Sequence, residues 1–340
     1  MSNEITSMYL DELTEYCKEK KWPSFRAKQI YEWLHKKHVM DAESMTNISK
    51  DMRSIISQDI TRVTYVTHQE SKLDGTRKYL FRMADGQMIE TVFMRYNHGN
   101  SVCISSQAGC AMGCSFCAST IGGCIRNLTA GELLGQIYAV INDTGEDISN
   151  IVVMGTGEPL QNYDNLIRFI RIITSPEGYD LSIRNITVSS CGIVPNIRRL
   201  AEEGLGITFA LSLHAPTDEL RKTIMPIANK YSIAETLEAT DYYFKRTGRR
   251  ITIEYSLMEG INDSMEMAEL LSKLIGGRGY HVNLIPVNPV EERSFRRSGR
   301  KNISDFQKIL EKNRINVTIR KGMGGDIDAA CGQLRRKYGV

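Results

Sequence analysis

An α/β fold, a (β/α) barrel closed or partly closed behind a small helical module and a β-hairpin, is what this sequence of 340 residues predicts. Three observations predict it. Apolar residues recur at helical spacing up to about Gln58, a strong turn signal sits between two β-like runs around Asp85-Gly86, and short apolar runs alternate with amphipathic stretches from about Val102 onward. Repeated strand–helix alternation builds a parallel sheet with crossover helices, because parallel neighbours need a long connection that packs back on the sheet.

Taken in order, Leu10, Leu13 and Tyr16 make one apolar stripe, and Phe25, Ile30, Trp33 and Leu34 make another, giving a helical accessory domain over 1–60. Residues 61–98 read as a β-hairpin linker, with strands Tyr79 to Met83 and Met88 to Met94. The remainder, 99–340, carries the barrel. Its strand candidates are Val102–Ser106, Ile151–Met154, Ile186–Ser190, Thr208–Leu213, Ile251–Ser256, Val282–Ile285 and Val317–Arg320. Between them Tyr163–Ile173 is helix-like, with Leu166, Phe169, Ile170 and Ile173 on one face. The longest irregular, charged insert runs from Pro289 to Asn302.

Composition is ordinary for a soluble protein, with 41% hydrophobic and 24% charged residues. No apolar run has the length of a membrane span, and the polar, acidic start from Met1 to Glu19 is unlike a signal peptide, so a cytoplasmic protein is expected. The net charge of +3 does not announce a nucleic-acid partner. Basic residues do cluster, however: Arg293, Arg296, Arg297, Arg300 and Lys301 in one segment, Lys18, Lys20, Lys21, Arg26, Lys28, Lys36 and Lys37 in another. Such runs are solvated faces or phosphate contacts.

Of 8 cysteines, five fall between Cys103 and Cys124. In a protein with no secretory signal this points to metal binding or catalysis before disulfides. Cys110, Cys114 and Cys117 form a CxxxCxxC element in the loop after the first barrel strand. Thiolates on so tight a loop reach successive irons of an iron–sulfur cluster, and three ligands on four irons leave one iron open. A structural zinc site would require a fourth ligand, for which His98 or Cys103 would be the candidates.

Val153-Met154-Gly155-Thr156-Gly157-Glu158-Pro159 follows the next barrel strand; its glycines permit close backbone approach, and Glu158 offers an acceptor for an ammonium group. Ser189, Ser212-Leu213-His214 and Asn288 stand at later strand ends, on the same rim, where barrel sites form. Glu90 falls on the face of Met88, Val92 and Met94 by period-2 alternation: a base whose pKa burial raises, or a register error. Cys331 lies in a small-residue loop flanked by glycine, and Cys103 on the strand entering the cysteine motif.

The cysteine element opening a (β/α) barrel resembles the radical S-adenosylmethionine superfamily. Gln107-Ala108-Gly109-Cys110, Gly155-Thr156-Gly157-Glu158-Pro159-Leu160, Ser212-Leu213-His214-Ala215-Pro216, Arg221 through Met225-Pro226-Ile227, and Asp326 to Leu334 sharpen the likeness. Together they resemble, over essentially the whole chain, the RlmN/Cfr family, whose RlmN members are dual-specificity RNA (adenine-C2) methyltransferases. The resemblance implies a partial, TIM-like barrel and a [4Fe-4S] cluster on Cys110, Cys114 and Cys117. It implies S-adenosyl-L-methionine, two per turnover, held by Gly157, Glu158, Ser189, Ser212, Leu213, His214 and Asn288. It implies that Cys331 carries the methyl group, that Cys103 is the resolving thiol forming a transient disulfide with Cys331, and that Glu90 accepts the C2 proton. The implied substrates are adenines of 23S ribosomal RNA, at the peptidyl transferase centre, and of a subset of transfer RNAs. An electron donor such as flavodoxin or ferredoxin and a disulfide reductant would be partners of a monomer. The basic segments and the N-terminal module then read as RNA contacts. The C8-adenine branch of the family, an RNA-binding iron–sulfur protein without catalysis, and a radical activase are the competing readings. Cys17, Cys124 and Cys191 match no role.

Overall fold

The computed structural model describes residues 4–288, 290, 292–327 and 334. Three helices come first: α1 (Leu10–Glu19), α2 (Phe25–His35) and α3 (Lys50–Asp59). They bury Leu13, Tyr16, Ala27, Ile30, Tyr31, Leu34 and Ile56 in a core of their own. The face of α2 differs from the expected stripe. Positions 27, 30, 31 and 34 follow the three- and four-residue steps of one helix face, whereas Phe25 falls off it and is 56% exposed under the Arg26 guanidinium. The module is joined to the rest by buried polar contacts: His35 Nδ1 lies 3.0 Å from Tyr138 Oη, and Glu4 accepts from Thr61 and Thr129.

Four strands follow, β1 (Val63–Glu70), β2 (Arg77–Met83), β3 (Met88–Tyr96) and β4 (Gly99–Cys103), then a two-stranded pair, β5 (Gln107–Gly109) with β6 (Cys124–Asn127). The alternating part runs α4 (Ala130–Thr144), β7 (Asn150–Val153), α5 (Tyr163–Ile173), β8 (Ile186–Ser190), α6 (Val194–Glu202), β9 (Thr208–Ser212), α7 (Asp218–Ile224), α8 (Ile233–Thr247), β10 (Ile251–Leu257), α9 (Met265–Ile275), β11 (His281–Pro286), α10 (Arg300–Lys312) and β12 (Asn316–Ile319). A ten-stranded sheet has the order β1-β2-β3-β4-β7-β8-β9-β10-β11-β12. β1 to β4 pair antiparallel and everything from β4 to β12 pairs parallel, so the barrel is open, with β1 and β12 as its edges. The hairpin is continuous with this sheet: Tyr79, Phe81, Ile89 and Phe93 share the core of the barrel strands. Arg300 to Asn302, expected in the irregular insert, start α10.

Strand alternation separates two faces. Val102, Ile151, Val153, Val188, Phe209, Leu211, Ile253, Tyr255 and Leu284 are buried in the core shared with the helices. The residues between them, Cys103, Val152, Thr187, Ser189, Ser212, Glu254 and Asn283, therefore share the opposite, inner face. Residue by residue, the helix-side positions are apolar and the inner ones largely polar, which is how one sheet supplies both a core and a site. No helix among the described residues is long and apolar enough to cross a membrane.

Candidate active site

The chain reaches the cysteine loop alongside the glycine-rich loop after β7. Ile104 N donates to Val152 O at 3.0 Å and Ser106 N to Thr156 O at 2.8 Å, carrying the β4–β7 pairing past the ends of both strands. Gly109 turns the backbone at φ +86°, and a Cβ there would come 2.0 Å from Gly123 O, so only glycine fits. Cys110 N then donates to Gly123 O at 2.9 Å. Cys117 N donates to Cys114 O at 3.1 Å, and Thr120 Oγ1 donates to the carbonyls of Cys114 and Cys117, which closes the loop into a tight turn. Ser115 N ties this turn to α7 through Ile224 O, 2.9 Å away.

All three cysteines line one cavity of about 260 Å³ on the inner face. Burial pushes the Cys110 thiol up to about 12 and the Cys114 thiol up as well, with neighbouring cysteines adding to both. Ligation of a metal group therefore has to release the protons of these thiols. Neither His98, which stacks on Tyr96, nor Cys103 lines this cavity, so neither of the two candidate fourth ligands closes a zinc shell there. The donor set fits a three-cysteine cluster with an open position.

Gly157, Glu158, Ser189, Ser212 and His214 line the same cavity. A Cβ on Gly157 (φ +109°) would meet Gln107 Cβ at 2.6 Å, so close contact between the two loops demands glycine. Glu158 is buried and accepts from Cys191 N at 2.8 Å and Leu160 N at 3.0 Å. Burial raises its pKa, while those amides pull the other way. Ser189 Oγ and Ser212 Oγ lie 3.2 Å apart on adjacent strands. His214 Nδ1 accepts from Ser256 N at 2.9 Å, which puts its ring proton on Nε2, and burial with nearby Arg221 pushes its pKa down to about 3. Its imidazole meets the Phe116 ring edge-on at 5.0 Å. Leu213 and Asn288 stand apart. The Leu213 side chain belongs to the helix-side core and its N–H donates to Glu254 O; Asn288 is exposed and does not line the cavity.

Glu90 and Cys103 lie along the same inner face, toward the hairpin. Val92 pairs with Cys103, and Val92, Met94 and Cys103 form a buried cluster against which Met154 packs; Met154 also lines the cavity. Glu90 shares this face as alternation predicted. It is not on a purely apolar one, since Lys78 Nζ lies 3.0 Å from its carboxylate. Cys331 lies outside the described residues, as does most of the segment around it. Its approach is described: Met323 packs against the Cys103 cluster, and Asp326 accepts from Ser71 Oγ at 2.5 Å.

Sequence reasoning passed over several residues here. Lys78 could have been found from the hairpin register, since it sits diagonal to Glu90 once Asp85-Gly86 fixes the turn. Glu254 and Ser256, also in the cavity lining, follow from alternation along β10. Cys191 lines the cavity too, and no spacing signal marked it. Arg293, read as an RNA contact, donates to Thr120 Oγ1 beside the cysteine loop.

An open, largely parallel α/β sheet with three cysteines and a glycine-rich loop around one inner cavity defines a radical S-adenosylmethionine enzyme. The Radical SAM superfamily model matches residues 104–271, and the model for the Ribosomal RNA large subunit methyltransferase N-terminal domain matches residues 3–61. A crystal structure of a radical SAM methyltransferase from Sphaerobacter thermophilus superposes with TM-score 0.93 at 43% identity, covering 96% of this chain and 98% of that one. Two relatives carry the name "Probable dual-specificity RNA methyltransferase RlmN". The one from Lachnoclostridium phytofermentans is 57% identical over 98% of this chain and 95% of its own length, and the one from Lachnospira eligens 54% identical over 98% and 96%. The chain belongs to the RlmN family of dual-specificity RNA methyltransferases.

Proposed function

We propose that this enzyme methylates C2 of adenine in 23S ribosomal RNA and in a subset of transfer RNAs, consuming two S-adenosylmethionines per turnover. Continuity of the inner face carries the reading: Cys110, Cys114 and Cys117 share a cavity with Met154, and Met154 packs on the cluster that holds Cys103. When bound by those three cysteines, the [4Fe-4S] cluster supplies the electron that splits S-adenosylmethionine to a 5′-deoxyadenosyl radical.

The protein groups do the rest. Gly157, packed on Gln107, brings the backbone of its loop against the methionine part of S-adenosylmethionine, and the buried Glu158 accepts from its ammonium. Ser189, Ser212, His214 and, at the rim, Asn288 hold the remainder, with Leu213 contributing backbone only. The Cys331 thiolate takes a methyl group from the first S-adenosylmethionine by displacement at the sulfonium methyl. That methyl, after losing a hydrogen atom to the second, becomes the carbon that joins C2, a position too electron-poor to attack a sulfonium itself. Glu90 removes the C2 proton. The adduct returns its unpaired electron to the redox centre that supplied one; Cys103 then attacks the Cys331 sulfur, breaking its bond to the transferred carbon, which takes up a proton to become the methyl group, and a Cys103–Cys331 disulfide is left for an external thiol reductant. A flavodoxin- or ferredoxin-type donor supplies the electron, and the enzyme works as a cytoplasmic monomer. The target base leaves its stack to reach the inner face, with basic segments on phosphates.

The test is to delete the gene and measure 2-methyladenosine and 8-methyladenosine by mass spectrometry in ribosomal and transfer RNA separately. Loss of 2-methyladenosine from both supports the reading. Unchanged 2-methyladenosine with lost 8-methyladenosine replaces it with C8 chemistry.

A further inference from the structure

Arg221 is among the largest fully buried side chains of the described residues; no carboxylate among them hydrogen-bonds its guanidinium, and Asp218, one turn earlier on α7, acts on it only through space. Nε donates to Leu213 O at 3.2 Å, and Nη2 donates to Cys191 O at 2.6 Å and Ser212 O at 3.3 Å. Nη1 is buried and meets no acceptor. Carbonyl dipoles offset part of the cost of desolvating a guanidinium, but a buried cation left without a counter-charge still costs several kcal/mol.

The surroundings indicate which anion is missing. One turn beyond Arg221, Ile224 O accepts from both Ser115 N and Ser115 Oγ, so α7 is bonded directly to the cysteine loop. Gly113 in that loop faces Pro226, where an added Cβ would lie 3.3 Å away. Ile224 and Met225 pack in one apolar cluster with Cys114 and Cys191. The buried positive charge thus sits between the end of β9 and the helix bonded to the cysteine loop, just outside the cavity lining.

We propose that Arg221 is the built-in counter-ion of the iron–sulfur cluster, a positioning residue whose buried charge favours cluster loading and raises the cluster's reduction potential. This rests on the reading that Cys110, Cys114 and Cys117 hold a [4Fe-4S] cluster. Three thiolates outweigh the core charge of such a cluster, and one-electron reduction by an external low-potential donor adds a further negative charge. A fixed cation in a dry site stabilises that reduced form more than the oxidised one, and net charge and hydrogen bonding near the sulfurs are the terms that set such potentials.

The experiment compares the full-length protein with Arg221→Gln and Arg221→Lys, each reconstituted with iron and sulfide. Iron content, the midpoint potential of the cluster by dye-mediated titration followed by electron paramagnetic resonance, and thermal unfolding before and after reconstitution are measured. Arg221→Gln is expected to take the electron at a more negative potential, so that at the wild-type midpoint its reduced-to-oxidised ratio falls at least fivefold, and Arg221→Lys recovers most of that. Before reconstitution Arg221→Gln should unfold no lower than wild type, because the substitution removes an uncompensated charge; after it, wild type should gain more. An unchanged midpoint in a fully loaded Arg221→Gln overturns the proposal. So does a lower unfolding temperature of that variant before reconstitution, which would make Arg221 a structural hydrogen-bond donor only. Failure of wild type to take up any cluster, or a Cys114→Ala variant that keeps it, would instead sink the ligand assignment.

Discussion

Lys78 Nζ and Glu90 Oε2 lie 3.0 Å apart in an ion pair whose two side chains are 0% and 4% exposed. Leu80 is the direct partner of Glu90 and Val92 of Lys78, so the pair runs diagonally between β2 and β3. Desolvation makes such a pair costly to half-remove. Lys78→Met, which removes the cation beside the buried carboxylate, should destabilise the fold by about 3–5 kcal/mol. Adding Glu90→Leu should return most of it, because partners that share an interaction are not additive. Urea unfolding of the cluster-free protein at neutral pH measures both; a Lys78→Met variant as stable as wild type would show that the pair carries no weight.

Acid should weaken the junction between the helical module and the barrel. His35 is buried against Tyr31 and Tyr138, and burial, with a smaller push from His38, lowers its pKa to about 3. An unfolded histidine titrates near pH 6.5. Between roughly 6.5 and 3 the unfolded chain binds a proton that the folded chain does not. The stability from neutral His35 is therefore complete above pH 6.5 and is lost as pH falls, by about 2 kcal/mol at pH 5. Urea midpoints at pH 7 and pH 5 test this. His35→Asn, whose amide can still meet Tyr138, should show a smaller drop than wild type; an equal drop would assign the acid sensitivity elsewhere.

How far the sequence reached depended on whether a signal was local. β8 and α5 have the predicted bounds, because each is a single apolar period bounded by polar residues. The Cys110–Cys117 spacing and the rim positions Gly157, Glu158, Ser189, Ser212 and His214 were legible for a related reason: strand ends on one edge of a parallel sheet converge whatever lies between them. β1 was not, since it is an edge strand with an irregular, half-exposed pattern and a bulge after Tyr65. Arg221 escaped because its partners are distant in sequence, whereas the diagonal pairing of Lys78 with Glu90 is recorded only in the hairpin register. In the α2 stripe Ile30 and Leu34 are buried, while Phe25 is out of helical phase with them and exposed.

Space, more than side-chain chemistry, governs the glycine-rich loop. Gly157 packs on the chain entering the cysteine loop, where an added Cβ would lie 2.6 Å from Gln107 Cβ and 2.7 Å from Gln107 N. Backbone on one side leaves no flexible neighbour to move. Gly157→Ala should therefore displace Glu158, whose N–H donates to Gln107 Oε1 at 2.8 Å, and weaken S-adenosylmethionine binding at least tenfold by equilibrium dialysis, about 1.4 kcal/mol or more. Unaltered binding would mean that the loop does not contact the methionine.

The approach to Cys331 is tethered to the turn between β1 and β2. Gly324 N donates to Asp74 at 2.9 Å, Lys72 N donates to Asp326 at 2.9 Å, and Ser71 Oγ donates to the other oxygen of Asp326. Ser71 and Lys72 hold the Asp326 carboxyl below its usual range, so it accepts as an anion at neutral pH. Cys331 lies five positions after Asp326, a reach of at most about 18 Å. Cutting the tether removes its hold on the approach to Cys331 and lowers the effective concentration of one thiol at the other. In a glutathione buffer, Asp326→Ala should thus form the Cys103–Cys331 disulfide with an equilibrium constant roughly threefold to tenfold smaller than wild type. Asp326→Asn, which keeps one acceptor oxygen, should fall between them, and iron content should not change. Under turnover the same loss should appear as more 5′-deoxyadenosine released per methylated adenine. If the disulfide equilibrium of Asp326→Ala matches wild type, the turn does not set the reach of that segment, and the hydrogen bonds to Ser71 and Lys72 serve only to close the loop.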